Sequence, residues 1–510
     1  LPKVRKTSNR KVNIFRRTKQ YRKWSLQVLW AGNSRSVDMK AEFVLVLVLF
    51  VFILMGCIGQ QQKAQDVVRK PAVAGTFYPS SSDNLTKAVD YLLDNAPELE
   101  INGSIVGLIA PHAGYAYSGQ VAAYSFKQIK GRNFSTVIII GPSHHYNFNG
   151  ASLGNFTYFE TPLGKVKVSN MTNELRAENV FVSFPEAQEP EHSVEVEVPF
   201  LQRVLDSFEI VPIVTGSVDP ETLANAIINH LDEHTLIVAS SDLSHYHPYN
   251  EAVSLDKNCL DAFSTLNVTM MNECELCGQI PVLTLMRIAN KLGLQSQVLA
   301  YMNSGDVTGD ASSVVGYSSV VFYRPELNSE RKKILLEESR STFEAYVRNG
   351  TILKFETNDS TLLGNRGTFV TLTKNGQLRG CIGHILPVEP LYLDVQENTI
   401  NAAVNDPRFV PVTADELDSI KIEISALTYP MLARDTNEIE VGRHGLIMSR
   451  GGNQGVLLPQ VPLEYGWDKT TFLEQTCNKA GMEKNCWKDT STKIYKFSAD
   501  VFNESEFGLR

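Results

Sequence analysis

Cysteine is too scarce in this chain to scaffold it. Seven cysteines in 510 residues give no disulfide framework at this length, so stability has to come from buried cores. The pair Cys274-X-X-Cys277 has no second CxxC partner, which excludes a zinc ribbon. An excess of basic charge is missing too. The formal net charge is −8, and no basic stripe interleaved with aromatics runs through the body, which argues against nucleic acid as a partner. No internal repeat links the two halves. With 43% hydrophobic residues the chain reads as globular and able to bury sizeable cores.

The first segment departs from this balance. Basic residues dominate from Lys3 to Arg35, followed by an uninterrupted apolar run from Phe43 to Met55, short for a spanning helix and suited to a signal-peptide core. Leu54-Met55-Gly56-Cys57 has the pattern of a lipobox, which would make Cys57 a lipid-attachment site and Gln60 to Gln65 a polar tether. An uncleaved anchor helix is the alternative. Either reading predicts a membrane-anchored chain with an extracytoplasmic body, where the Asn-X-Ser/Thr sites such as Asn84, Asn133 and Asn267 could be glycosylated; a cytoplasmic chain is the remaining alternative. Residues 1–67 are taken as this leader and tether.

From Val68 to Pro325 short β-rich runs alternate with amphipathic stretches, the pattern of an α/β domain with a wound, mostly parallel sheet flanked by helices. Expected helices include 120–130, 198–208, 220–233, 251–266 and 279–292, with a closing strand over 313–323. A polar, charged joint at 326–333 leads into a smaller α+β domain, 334–510, with one helix to Asn349, strands at 368–374 and 421–427, and glycine-punctuated turns.

Three apolar strands of the first domain run into loops that carry histidine: Pro111-His112, Pro142-Ser143-His144-His145 and Asp242-Leu243-Ser244-His245. Ligands of open α/β sheets bind beyond the carboxyl ends of the strands, and neutral imidazole with a carboxylate suits a transition metal. His112, His144, Asp242 and His245 are therefore the primary candidates, with His145 and His247 as supporting or structural side chains. Glu191-His192-Ser193 precedes an expected helix, with Ser193 as N-cap and Glu195 and Glu197 in or near its first turn. His192 either faces the rim as acid, base or substrate contact or belongs to a capping loop. Cys277 lies just before another expected helix, a position that lowers a thiol pKa and suits a thiolate ligand or nucleophile; a buried inert thiol or a bridge to Cys274 is the alternative.

The blocks PAVAGTFYP (Pro71 to Pro79), PHAGYAYSG (Pro111 to Gly119), GPSHH (Gly141 to His145), EHSVEVEVPFLQ (Glu191 to Gln202), SSDLSHY (Ser240 to Tyr246) and Cys277-Gly278 resemble, in order, the signature blocks of the Memo family. That family is similar in fold to the LigB-like class III extradiol dioxygenases, which open catechol rings with non-haem iron. The resemblance implies a metal pocket of His112, His144 and Cys277, with Asp242 and His245 beside it. A cysteine departs from the dioxygenase set of two histidines and one carboxylate, so the resemblance implies binding of Fe or Cu and redox chemistry rather than ring cleavage.

In the second domain Leu378-Arg379-Gly380-Cys381-Ile382-Gly383-His384 sets a thiol between glycines, beside an arginine and near a histidine. Those cations would favour a thiolate at Cys381; an incidental cysteine in a hairpin fits equally. Asn405 to Phe409 reads as turn chemistry. This block, with NDPRFVPVT (Asn405 to Thr413), ISALTYP (Ile424 to Pro430), GRHGLIM (Gly442 to Met448) and GVLLPQVP (Gly455 to Pro462), resembles the AMMECR family, which implies a small-molecule or partner site. Together the two halves resemble components B and A of the AmmeMemoRadiSam set, whose third member is a radical-SAM protein, and fusion implies a common substrate or product. The sequence thus supports two expectations: a metal-dependent oxidoreductase with His112, His144 and Cys277 on an Fe or Cu ion and Asp242, His245 and His192 moving protons or orienting substrate, or a non-catalytic metal- or ligand-binding module.

Overall fold

The computed structural model describes residues 66–509. The four central strands of the first domain are Glu209–Thr215, Thr136–Pro142, Thr235–Ser240 and Gly103–Ala110, adjacent in that order and parallel throughout. Thr136–Pro142 and Thr235–Ser240 are buried at every residue, which explains why they read as continuous β-branched runs without alternation. Val314–Pro325 closes one side of this core antiparallel to Gly103–Ala110, and Gln295–Asn303 pairs with it in turn. Two apolar clusters, one on each face of the sheet, bury the helices against it. Phe126 and Phe200 stack in the first, while Leu285 and Ile288 of the helix Gln279–Leu292 belong to the second.

Local chemistry sets the element ends. Helix Pro220–Ile228 starts where the Asp219 carboxylate accepts from the Thr222 N–H and Pro220 occupies the first turn. Helix Gln279–Leu292 stops at Gly293, whose φ of 61° is the left-handed conformation that glycine adopts cheaply. Helix Ser329–Asn349 opens the second domain, with the Asn328 side chain accepting from Arg331 N–H. The polar stretch expected as a joint is thus largely the first turn of this helix. Its charged residues are the exposed face of an element whose Leu335, Leu336 and Phe343 are buried. Two antiparallel four-stranded sheets follow. Thr368–Lys374 and Ile420–Leu427 form the centre of one, and Gly445–Arg450 and Lys493–Phe497 that of the other. Cys477 and Cys486 form a disulfide within the second sheet's core.

The expected membrane anchoring finds no support in the described residues. Among the described residues no helix is long and apolar enough to cross a membrane; the longest, Ser329–Asn349, is charged along its length. The basic segment, the apolar run from Phe43 to Met55 and Cys57 lie outside the described residues.

Candidate metal centre

Gly103–Ala110, Thr136–Pro142 and Thr235–Ser240 end on the same rim of the sheet because they are parallel neighbours in register. Their loops deliver His112, His144 and Asp242 together, and the segment preceding helix Gln279–Leu292 brings Cys277. The His112 Nε2 lies 3.1 Å from Cys277 Sγ, and the His112 and His144 rings meet edge to face with centroids 5.0 Å apart. One donor atom from each of His112, His144 and Cys277 lies within 4.8 Å of the others, as does one from each of Asp242, His245 and Cys277. Cys277 therefore joins two overlapping sets of possible ligands.

The supporting contacts fix which atoms can ligate. The Ser240 hydroxyl bonds the Ser193 carbonyl at 2.6 Å and the Glu197 carboxyl at 2.9 Å. With its proton committed there, it accepts from His112 Nδ1 at 2.8 Å. That assignment leaves the lone pair of His112 on Nε2, facing Cys277. His144 Nδ1 pairs with Glu191 at 2.9 Å, which frees its Nε2 in the same way. Glu191 also accepts from the backbone N–H groups of His144, His192 and Ser193. Burial opposes its charge, but the hydrogen bond and charge of His144 together with these donors hold Glu191 well below the usual carboxylate range. Asp242 accepts from the N–H groups of His112 and Ala113, so it anchors the His112 loop. Burial raises its pKa to about 7 against those two bonds.

Burial pushes His112 well below the ordinary imidazole range, and the neighbouring His144 and His192 push it further. His192 is lowered to about 4, mainly by burial, and His245 is lowered for the same reason. His112, His192 and His245 are thus neutral near neutral pH. Cys277 lacks the lowered thiol pKa expected at a helix terminus: burial, then the charge of Asp242, push its thiol up, overriding any effect of the following helix. The sulfur is a thiol until something displaces its proton. It is not bridged to Cys274, whose thiol instead lies against Cys259.

His192 does face the rim, stacked on His144 with centroids 4.5 Å apart and in edge contact with Phe77. Its neighbours are not helix caps. The Ser193 hydroxyl donates to the Pro142 carbonyl, and the following helix, Val198–Val204, has no side-chain cap. Glu195 is buried with Arg69, the Tyr78 hydroxyl and the N–H groups of Ala72 and Val73. Acids set between valines in a run otherwise destined for the core were the signal for this buried pairing. His145 is exposed, and His247 bonds Glu275 and Glu251 at the surface. Beside Cys277 a cavity of about 610 Å³ opens between Tyr146, Phe148, Thr215 and Ile280, and exposed His144 forms the open side of the cluster.

In the second domain the expected cations do not surround Cys381. Arg379 is drawn to Glu416 and the Val410 carbonyl, and His384 turns to Asp394 at 2.6 Å. Arg408 stands closest instead, donating to the Cys381 carbonyl at 3.1 Å and paired with Asp406. Burial still raises the Cys381 thiol, which lines a cleft of about 1350 Å³ between the two sheets, with Arg408, Trp467 and Tyr465 among its walls.

The fold and site define an α/β domain with an imidazole and thiol cluster at its sheet rim, followed by a two-sheet domain with a cysteine-lined cleft. Residues 69–321 match the family model described as Memo-like protein, and residues 336–502 match that described as AMMECR1. A MEMO1 family protein of Methanobrevibacter smithii is 38% identical over 281 residues, covering 50% of this chain and 100% of the relative. A second, from Thermoplasma acidophilum, is 36% identical over 268 residues, covering 50% and 99%. The crystal structure of an uncharacterized protein of Pyrococcus horikoshii is 40% identical, covers 34% of this chain and 92% of that one, and has a TM-score of 0.33. The chain belongs to the Memo family and carries an AMMECR1 domain after the Memo domain.

Proposed function

We propose that the Memo domain binds one Fe or Cu ion through His112, His144 and Cys277 and is a metal-dependent redox enzyme acting on a small molecule held in the cavity beside Cys277. The observation that supports this most is the convergence of two oriented imidazole nitrogens and one sulfur within 4.8 Å, each imidazole held by a hydrogen bond at its other nitrogen. Such support fixes tautomer and ring orientation in metal sites. A bound Fe or Cu ion would supply one-electron chemistry. The protein's own residues would do the rest. Asp242 holds the His112 loop, His192 and His245 would orient substrate as neutral imidazoles, and the open side at His144 admits substrate. With sulfur in place of a carboxylate, the donor set departs from that of the ring-opening dioxygenases.

The test is elemental analysis of protein purified without chelator, followed by oxygen consumption in the presence of a reductant. His112→Ala and His144→Ala are each expected to lose most of the bound metal and any oxygen uptake while remaining folded. Unchanged metal content in both variants overturns the assignment. Full metal content with no turnover of reductant or catechols favours the second reading, a metal- or ligand-binding module, which the large cleft beside Cys381 in the AMMECR1 domain also supports.

A further inference from the structure

Between the Memo and AMMECR1 domains lies a cavity of about 540 Å³, a size that suits a small-molecule ligand. The Memo domain contributes Ser104–Val106, the loop at Arg132 and Phe134, and Asp232–Thr235; the AMMECR1 domain contributes Thr428, Tyr429, Met431, Arg443 and Lys496. One guanidinium in its wall is left over. Arg324, at the end of the closing strand of the Memo domain, makes no side-chain hydrogen bond or ion pair with any described residue. The acids that could serve it are already engaged. Asp500 is bound by Arg366 at 2.5 Å, and Glu233 is bound by Arg443. Burial, together with repulsion from Arg366, pushes Arg324 down to about 10. A guanidinium withdrawn from water is costly unless an anion meets it, and its planar fork matches a phosphate or carboxylate.

The remaining wall is mixed in chemistry, and its Asp232 carboxylate is taken up by the His234 N–H, the Thr235 hydroxyl and Arg434. Lys496 and Arg132 add positive charge, with Lys496 held by Glu438 at 3.0 Å and Arg132 donating to the Gln128 carbonyl. Val106, Phe134, Tyr429 and Met431 supply an apolar floor. We propose that this seam is a binding site for an organic anion with one phosphate or carboxylate head, received by Arg324, and an apolar body. Because both domains supply its walls, occupancy would hold the two domains together. The site shares no residue with the metal centre, so it stands independently of the metal assignment.

Isothermal titration of the full chain with 1-naphthyl phosphate, 1-naphthoate and neutral 1-naphthol tests this. Saturable binding of at least one anion, with none of the naphthol, is expected. Arg324→Met should weaken that binding roughly tenfold or more, as expected for the loss of a charge-assisted fork. Arg324→Lys keeps the charge and should fall between, which provides the comparison should the methionine variant not fold. Binding should persist in the His112→Ala/His144→Ala variant, whereas its loss there would assign the anion to the metal centre and overturn the proposal. No saturable binding of either anion at millimolar concentration, or equal affinity in folded Arg324→Met or Arg324→Lys, also overturns it.

Discussion

At the scale of single residues, the proposed role of Cys277 turns on a partly buried, protonated sulfur. Its thiol is pushed up by burial and by Asp242, so a metal that takes the sulfur must release a proton. Metal affinity is therefore expected to rise by about tenfold per pH unit while the thiol remains protonated, and titration in buffers of differing ionisation heat should show one proton released per ion. Cys277→Ser should abolish that pH dependence along with most of the affinity; an unchanged slope would place the proton elsewhere. Ser240 offers a second check. Ser240→Ala removes the acceptor that sets the His112 tautomer and is expected to weaken metal binding about 10- to 100-fold without unfolding the domain. Affinity within about twofold of wild type would show that the tautomer needs no such support.

The residue types at the rim were legible in the sequence because each strand reaches its histidine without a break. The grip on them was not. Glu191 lies beside His192 in sequence yet binds the ring of His144, 47 positions away, and such a contact exists only once Thr136–Pro142 and the Glu191 loop are folded side by side. Cys381 shows the opposite failure. Neighbours in sequence suggested a cationic setting, but Arg379 and His384 each found a nearer acid, Glu416 and Asp394.

At the scale of elements, continuous apolar runs predicted the parallel core well, and helix Gln279–Leu292 fell at its expected bounds. Helix 198–208 proved shorter, ending at Val204, since the chain must turn there to enter the strand Glu209–Thr215. Helix Ser329–Asn349 contains an acid whose charged sequence neighbours suggest a solvated face. Glu338 is nevertheless buried, neither of its carboxyl oxygens has a partner, and burial raises its pKa to about 8. A raised folded pKa on an acid favours the protonated fold. Stability from this group is full below about 4.5, the unfolded value, and falls as pH rises towards about 8. Glu338→Gln, which cannot ionise, is expected to raise the melting temperature at pH 9. The stability gained there is a few kcal/mol at most, since a tenfold change in an ionisation constant is worth about 1.4 kcal/mol. At pH 4 the variant should differ little from wild type. A variant equally destabilised at both pH values would show that shape, not charge, governs the position.

At the scale of the whole molecule, the two domains meet across a seam stitched by few polar contacts. Arg443 pairs with Glu233, and Arg434 donates to the His230 carbonyl at 2.7 Å. Both arginines are partly exposed, so each contributes little; Glu233→Gln is expected to change stability by less than about 1 kcal/mol in a thermal melt. A larger loss would mean that the seam is a principal source of stability. X-ray absorption at the edge of the bound metal, recorded for wild type and for Cys277→Ser, tests the proposed metal centre most directly. The expected spectrum has nitrogen and one sulfur in the first shell, with the sulfur gone in the variant. A wild-type shell of nitrogen and oxygen alone, identical in the variant, would contradict it.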